Sequence, residues 1–235
     1  MITRHNQSNQ AQRVSSLAVT TFLLSLVAVS AVEAATPDIT GPWEIAGKVT
    51  SLKTVEGKAP PLTAAGQKLY KQNQSRPDSD PIKACLPPGI PRVLTQKGFP
   101  FSIVIGESIG GMILEWNHLP RPLYMNVDHF ENVGPTYLGQ SVARWEGETL
   151  VIDTNGFNDL TWLDDSGLPH TDALHTVERL RLKDANTLEN TITIEDPTIF
   201  SKPWKTVLTF TKRAGYIVKE DYCFGRTGQG KTVSK

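Results

Sequence analysis

The feature that most constrains the fold is a series of short, closely spaced strand patterns that begins near Phe99. Each stretch is rich in branched and aromatic residues and ends at turn residues, which is typical of β-strands. Short strands joined by tight turns favour an antiparallel meander, which closes into a barrel or folds into a sandwich. The predicted strands are Ser102–Glu107, Gly111–Asn117, Leu123–Val127, Ser141–Trp145, Thr149–Thr154, Leu174–Leu182, Thr187–Glu195, Trp204–Lys212 and Ile217–Cys223.

The segment before this series predicts one more strand and a short helix. Trp43–Leu52 has a strand pattern, and Thr63 is a suitable N-cap for a helix that ends near Gln72. The stretch CLPPGIPR at 85–92 is rich in proline, so we expect it to be rigid and extended. The predicted organisation is a signal peptide at 1–34, a strand, helix and loop at 35–84, a β-barrel core at 85–224 and a flexible tail at 225–235.

The first 34 residues have the pattern of a secretory signal. Arg4 and Arg13 supply positive charge, and Leu17–Val32 contains no charged residue. Small residues at the positions before the cut predict cleavage after Ala34. A membrane anchor is the alternative, but a spanning helix needs roughly 20 apolar residues. We therefore expect a periplasmic or secreted protein that has no membrane segment after cleavage.

The charge of the predicted mature chain excludes two classes of partner. The full sequence has a formal net charge of +0, and residues 1–34 contain two arginines and one glutamate. A mature chain near neutrality lacks the basic surface that nucleic acids or anionic membranes require. We expect a small organic ligand as the partner, and the sequence does not indicate the oligomeric state.

Two cysteines, Cys85 and Cys223, lie in the predicted mature chain. In an exported protein, one disulfide is the simplest interpretation, and two free thiols are the alternative. A disulfide between them would close a long loop, for which the chain-entropy account gives roughly 4–5 kcal/mol. A metal site on these cysteines is not indicated, because they lack CxxC spacing.

One long connection, residues 155–173, interrupts the regular strand pattern. Long loops without regular structure are uncommon in compact domains and are often functional. This one contains Phe157, Leu160, Trp162 and Leu163, which disfavours disorder. We therefore expect it to pack over one end of the barrel.

Ionisable residues concentrate after this loop, in PHTDALHTVER at 169–179. Strand alternation places His175 and Arg179 on one face and Glu178 on the other, so either arrangement directs an ionisable residue inward. Because a buried charge is costly unless it is paired, we expect a polar network inside the barrel.

Acid–base chemistry is the main functional hypothesis for this cluster. His170 and His175 would transfer protons, and a carboxylate at Asp153 or Asp164 would fix their tautomer. The alternative is that these residues only attach the loop to the barrel rim. The predicted substrate-binding residues are Arg179, Glu178, Trp162, Trp116, Tyr124 and His118.

Metal binding is a weaker hypothesis, and we predict no cofactor. The spacing of His170, His175 and Glu178 is not that of the helical HExxH motif. His118 and His129 could still join them in space. The aspartates of 155–165 lack the ligand alternation of a calcium loop. A Ser-His-Asp hydrolase is not indicated, because no GxSxG elbow is present.

The motifs from Cys85 to Cys223 resemble a family of small exported bacterial β proteins, most of which have no assigned function. The matching stretches are CLPPGIPR (85–92), EWNH (115–118), PTYLGQSVARWEGETLVIDTNGFND (135–159), TWLDDSGLPHTDALHTVER (161–179), TIEDP (193–197) and KPW (202–204). The family usually has aspartate at Glu148 and serine at Thr171. The resemblance implies a site on His170, His175, Glu178 and Arg179 but lends no activity. Gly41–Trp43 also resembles the GxW start of lipocalins, which implies a lipocalin-like barrel.

Two functions follow from these patterns. The first is an exported enzyme that uses histidine–carboxylate acid–base chemistry, as an isomerase, lyase, cyclase or hydrolase, on a partly apolar, aromatic or polycyclic substrate in a barrel cavity. The second is a non-catalytic, lipocalin-like carrier of a hydrophobic ligand. A third, a module that binds a partner, would show a large exposed apolar patch.

Overall fold

The computed structural model describes residues 36–223, so the predicted signal peptide and the predicted tail lie outside the described residues. Nine strands form a closed barrel in chain order. The strands are β1 (Gly41–Ile45), β2 (Phe101–Val104), β3 (Ile109–Leu114), β4 (Leu119–Met125), β5 (Gln140–Glu146), β6 (Thr149–Asn155), β7 (His175–Asp184), β8 (Thr187–Glu195) and β9 (Trp204–Lys212). The predicted mainly β barrel is confirmed.

Between β1 and β9 lie one α-helix, α1 (Ala64–Ser75), and several short 3₁₀ turns. Thr63 caps the helix as predicted, because its side chain accepts a hydrogen bond from the Gly66 amide. The 3₁₀ turns are Pro77–Ser79, Pro81–Ala84, Arg92–Thr95 and Trp116–His118.

The strand pairing departs from a simple meander at one place. β4 and β5 pair in parallel, whereas the other neighbours in the barrel are antiparallel. A parallel pair needs a connection that crosses back along the sheet, and residues 126–139 make it. Gly139 ends this connection at φ +66°, and a Cβ there would lie 2.6 Å from the Asn155 carbonyl oxygen. The close approach of the two chains therefore requires glycine.

The predicted strand Ile217–Cys223 is wrong, because residues 217–222 have no regular structure. β1 pairs with β9 and closes the barrel, so β9 has no free edge for another strand. The segment instead lies against the corner between β3 and β4. There the Lys219 amide donates to Glu115 Oε2 at 3.1 Å and the Cys223 amide donates to Asn117 Oδ1 at 2.9 Å. Cys85 and Cys223 form the predicted disulfide.

Side chains that alternate inward along the strands fill the barrel. On β8, for example, Leu188, Asn190, Ile192 and Ile194 are buried. The long loop contributes Phe157, Leu163 and Leu168 to the same buried cluster, so it packs on the barrel as expected. Between residues 36 and 223, no helix is long and apolar enough to cross a bilayer.

Candidate functional site

The candidate site is built on one carboxylate oxygen that two imidazoles share. Asp153 Oδ1 lies 2.9 Å from His129 Nε2 and 2.8 Å from His175 Nε2. The three side chains are half-buried, with 25% of His129, 29% of Asp153 and 36% of His175 exposed. The cluster is therefore shielded enough to be ordered and open enough for a small molecule to reach.

Strand alternation brings two of the three residues together. Asp153 on β6 and His175 at the start of β7 both project from the outer face of the barrel, since their strand neighbours Thr154 and Thr176 are buried inside. Adjacent antiparallel strands place such side chains within contact distance. The predicted pairing of His175 with Asp153 is thus present, but on the outer wall and not inside the barrel.

His129 reaches the site from the connection 126–139, where Gln140 holds it. Gln140 Oε1 accepts from the Phe130 amide at 2.9 Å and lies 3.2 Å from His129 Nδ1. His129 therefore faces an acceptor at each ring nitrogen, the Gln140 oxygen at Nδ1 and the Asp153 carboxylate at Nε2.

Asp153 is held as a carboxylate. Burial raises its pKa, but hydrogen bonds from His129 and His175 more than offset burial, so the pKa of Asp153 lies below its ordinary value. A carboxylate that accepts Nε2–H from His175 leaves Nδ1 as the basic nitrogen. This Nδ1 lies 3.7 Å from Glu195 Oε2, which is longer than a hydrogen bond, so it is free to take a proton.

Apolar and aromatic side chains flank the cluster on the side of β4. The register aligns Tyr124, Val142 and Asp153 across β4, β5 and β6. Phe130 packs edge-on against Tyr124, with ring centroids 4.9 Å apart, and is 48% exposed. A cavity of about 520 Å³ adjoins this row, lined by Asn126, Val127, Asp128, Val142, Ala143 and Arg144. The predicted ligand residue Tyr124 is therefore part of the site's surroundings.

His170, the other predicted catalytic histidine, is buried inside the long loop. Its Nδ1 lies 3.0 Å from the Thr171 carbonyl oxygen and its Nε2 lies 2.8 Å from Thr161 Oγ1. Because a carbonyl only accepts, Nδ1 carries the proton and Nε2 accepts from the hydroxyl. Burial lowers the pKa of His170, although the Thr171 carbonyl and nearby carboxylates oppose that shift. These contacts are those of a neutral histidine that ties the loop together.

A His170→Gln variant should change how stability depends on pH. In the wild type, the folded pKa of His170 lies below its ordinary 6.5. As pH falls below 6.5, the unfolded chain binds a proton at His170 that the folded chain does not. The free energy of unfolding therefore falls, by at most about 1.4 kcal/mol per pH unit. Urea unfolding between pH 8 and pH 5 should show that the free energy of unfolding falls less in His170→Gln than in the wild type. His118→Gln, at an exposed histidine, is the control, and equal slopes in wild type and His170→Gln would contradict the prediction.

Asp164 serves the loop, not an imidazole. Its Oδ2 accepts from the Leu52 amide at 2.8 Å, and its Oδ1 accepts from the Ser166 hydroxyl at 2.7 Å and from the Leu168 amide at 3.2 Å. These hydrogen bonds fix the turn at 164–168 against the N-terminal segment. Of the two carboxylates that we predicted as partners for histidine, Asp153 is the one that contacts an imidazole.

The predicted pair Glu178 and Arg179 is split between the two faces of β7. Glu178 lies inside the barrel, where it pairs with Arg121 and accepts from Asn190 Nδ2 at 2.8 Å. Arg179 lies outside and pairs with Glu146 at 2.9 Å. The expected interior polar network is present, and its cation is Arg121. Since neighbouring residues of a strand point to opposite faces, these two side chains cannot bind one ligand together.

The remaining predicted ligand residues lie apart from the His129–Asp153–His175 cluster. Trp162 packs under the Arg92 guanidinium, 5.7 Å from the ring centroid, and lines a surface cavity of about 580 Å³ with Asp80 and Leu160. Trp116 packs edge-on against Phe99 at 4.9 Å. His118 is exposed, with Nδ1 3.3 Å from the Lys219 carbonyl oxygen near the disulfide.

Gln140 and Glu195 carried no assigned role from sequence, and His129 was named only as a histidine that could join a metal site. The register of β7 against β8, which pairs His175 with Glu195, could have identified Glu195. No local pattern indicates that His129 folds back onto Asp153. Among residues 36–223, no group of three or more His, Cys, Asp or Glu side chains has the geometry to hold a metal ion.

Comparison with known proteins adds little to these observations. No model of a known protein family matches the chain, and no curated protein matches it. Among solved structures, the chain is similar to a mutant of the fluorescent protein UnaG, at 12% identity and a TM-score of 0.34 over 75% of this chain and 96% of that one. A TM-score this low carries no weight for function. The resemblance to a family of exported bacterial proteins stays a prediction.

Proposed function

We propose that the protein is an exported enzyme that performs acid–base catalysis on a small, partly apolar molecule at His129, Asp153 and His175. The observation that supports this proposal is the shared carboxylate oxygen, which fixes two imidazoles side by side. A histidine with a carboxylate partner is the commonest general acid–base arrangement. Here one carboxylate orients two such groups on an accessible surface.

The two imidazoles are suited to different roles. His175 Nδ1 takes a proton from the substrate, and the imidazolium that forms is stabilised by Asp153 at 2.8 Å. The protonated His175 then returns that proton from Nδ1 to a second position of the substrate, while His129 holds the Asp153 carboxylate in place. Removing a proton at one atom and adding one at another is the chemistry of an isomerase, and of a lyase when a leaving group departs.

The surroundings favour a substrate with a flat apolar part. Tyr124 and Phe130 present aromatic surface beside the imidazoles, and Val142 lies between Tyr124 and Asp153 in the register. The adjoining cavity of about 520 Å³ is within the usual range for small-molecule sites. A ring of the substrate would pack on the aromatic pair while its acidic proton faces His175.

A carrier with its ligand inside the barrel gains less support from the described interior. Trp43, Phe101 and Phe210 are among the fully or nearly fully buried side chains there, and Arg121 and Glu178 form an ion pair within it. A hydrophobic ligand would have to displace packed side chains and lie against two charges. Binding at the His129–Asp153–His175 cluster on the outer wall does not require a ligand to displace the barrel interior or to lie against its buried ion pair.

Export is part of the same proposal. The Cys85–Cys223 disulfide is typical of an oxidising compartment such as the periplasm. The sequence of residues 1–34 predicts the signal that would deliver the chain there.

The proposed chemistry can be tested through proton exchange at carbon. A panel of aromatic and polycyclic ketones is incubated with the protein in D₂O, and loss of the α-proton is followed by ¹H NMR. The wild type should exchange at least one panel member, and His175→Ala should reduce that rate about 10²–10⁴-fold, as expected for loss of a general base. Asp153→Asn should also reduce the rate and shift its pH profile.

His118→Ala is the matched control, because it removes an exposed histidine distant from Asp153, and its exchange rate should equal that of the wild type. Thermal unfolding shows whether each variant is folded. A wild type no faster than free imidazole on the whole panel, or a folded His175→Ala variant with wild-type rates, would rule out the proposal.

A further inference from the structure

A third cavity lies between two backbone segments, 54–61 and 201–205, on a different part of the barrel. The segments are joined at both ends: the Val55 amide donates to the Lys205 carbonyl at 2.9 Å, and the Ser201 amide donates to the Pro61 carbonyl at 2.8 Å. Between these hydrogen bonds the two segments border a cavity of about 580 Å³ that is open to solvent. The cavity is therefore framed by fixed backbone.

The lining of this cavity combines apolar surface with positive charge. Ala59, Pro61, Pro203 and Trp204 supply the apolar part. Lys58, Lys202 and Lys205 contribute three ammonium groups, against the single carboxylate of Glu56 in the lining. Hydrogen bonds from Thr54 and from its own backbone lower the pKa of Glu56, with smaller contributions from Lys58 and Lys202, so it is ionised. The lining keeps a net positive charge of two.

Trp204 adds a hydrogen-bond donor without an acceptor. Its side chain is 5% exposed, and among residues 36–223 its Nε1 has no hydrogen-bond partner. Its ring packs edge-on against Phe200 at 5.4 Å, which fixes its position. Buried N–H groups normally find a partner, and an indole N–H can only donate. Trp204 therefore contributes a fixed aromatic ring to the apolar wall of the cavity, while its Nε1 atom is itself buried.

We propose that this cavity binds a small organic anion with a flat apolar body, such as an aromatic carboxylate. The ring would pack on Trp204, Pro203 and Pro61, and the carboxylate would lie near Lys202 and Lys205. The volume is within the range of small-molecule sites. The proposal is independent of the proposed catalysis, since the cavity shares no lining residue with His129, Asp153 or His175.

Titration calorimetry with 1-naphthoate, 1-naphthylmethylammonium and acetate tests this proposal. The wild type should bind naphthoate in preference to the cation and to acetate, and added salt should weaken binding. The Lys202→Glu/Lys205→Glu variant should lose at least about tenfold in naphthoate affinity. Trp204→Leu removes the aromatic surface from the lining, so its naphthoate affinity should also fall, with folding checked by circular dichroism.

The Lys68→Glu/Lys71→Glu variant is the matched control, because it reverses two exposed lysines on α1. Its naphthoate affinity should lie within about twofold of the wild type. The proposal is overturned if the wild type does not bind naphthoate at millimolar concentration, if the cation binds as tightly, or if the Lys202→Glu/Lys205→Glu variant binds unchanged.

Discussion

Replacing Arg121 by methionine is expected to destabilise the protein by about 3–5 kcal/mol. Arg121 and Glu178 face each other inside the barrel with 1% and 0% of their side chains exposed. The guanidinium also donates to Ser141 Oγ at 3.1 Å and to Thr154 Oγ1 at 3.0 Å. The variant leaves the Glu178 carboxylate without its cation, and it removes a donor from both hydroxyls, which keep only their hydrogen bond to each other at 3.0 Å.

The companion experiment separates the buried charge from lost packing. In Arg121→Met/Glu178→Leu, neither charge remains, so the double variant should be more stable than Arg121→Met alone. Urea unfolding gives the free energies. Arg181→Met is the control, because Arg181 pairs with Glu148 on the surface, where such a pair contributes about 1 kcal/mol or less. A single Arg121→Met variant within 1 kcal/mol of wild type would contradict the account of a paired interior charge.

The strands that sequence predicts best are those whose signals are local. Thr187–Glu195 and Trp204–Lys212 have the predicted bounds, because inward and outward residues alternate along them and turn residues mark their ends. Ile217–Cys223 also contains branched and aromatic residues but is not a strand. What decides its structure is that β1 occupies the free edge of β9, which is a long-range pairing that no local pattern reveals.

The candidate site also contains residues that local patterns predict and residues that they do not. Asp153 and His175 lie on neighbouring strands, and their alternation places both on the outer face, so this pair could be predicted from sequence. His129 reaches Asp153 because β4 and β5 pair in parallel and the connection between them crosses the outer wall. Neither spacing nor composition indicates that crossing. A site that depends on strand order is therefore only partly visible in the sequence.

Arg92→Lys should be destabilising by about 3 kcal/mol or more, although the charge is kept. Arg92 is 1% exposed, and its Nη1 and Nη2 donate to the two oxygens of Asp80 at 2.8 and 2.7 Å while Nε donates to Asp165 at 2.8 Å. Burial lowers the pKa of Arg92, but the two carboxylates more than offset this and raise it. A lysine ammonium cannot reach both carboxylates with a planar fork, so at least one loses its partner.

Because Arg92 joins two segments, Arg92→Lys should also increase hydrogen exchange in those segments, in addition to lowering the overall stability. Asp80 caps the 3₁₀ turn Pro81–Ala84 before the disulfide, Asp165 belongs to the long loop, and the guanidinium also covers the ring of Trp162. In Arg92→Lys, amides at 77–84 and 160–168 should exchange with deuterium faster than those of β8. Lys83→Met, which removes the exposed pair with Asp78, is the control and should change neither measurement by much. If Arg92→Lys keeps the stability and the exchange rates of the wild type, the prediction is wrong. A lysine would then replace Arg92 fully, and the apolar residues of the loop would be what holds it.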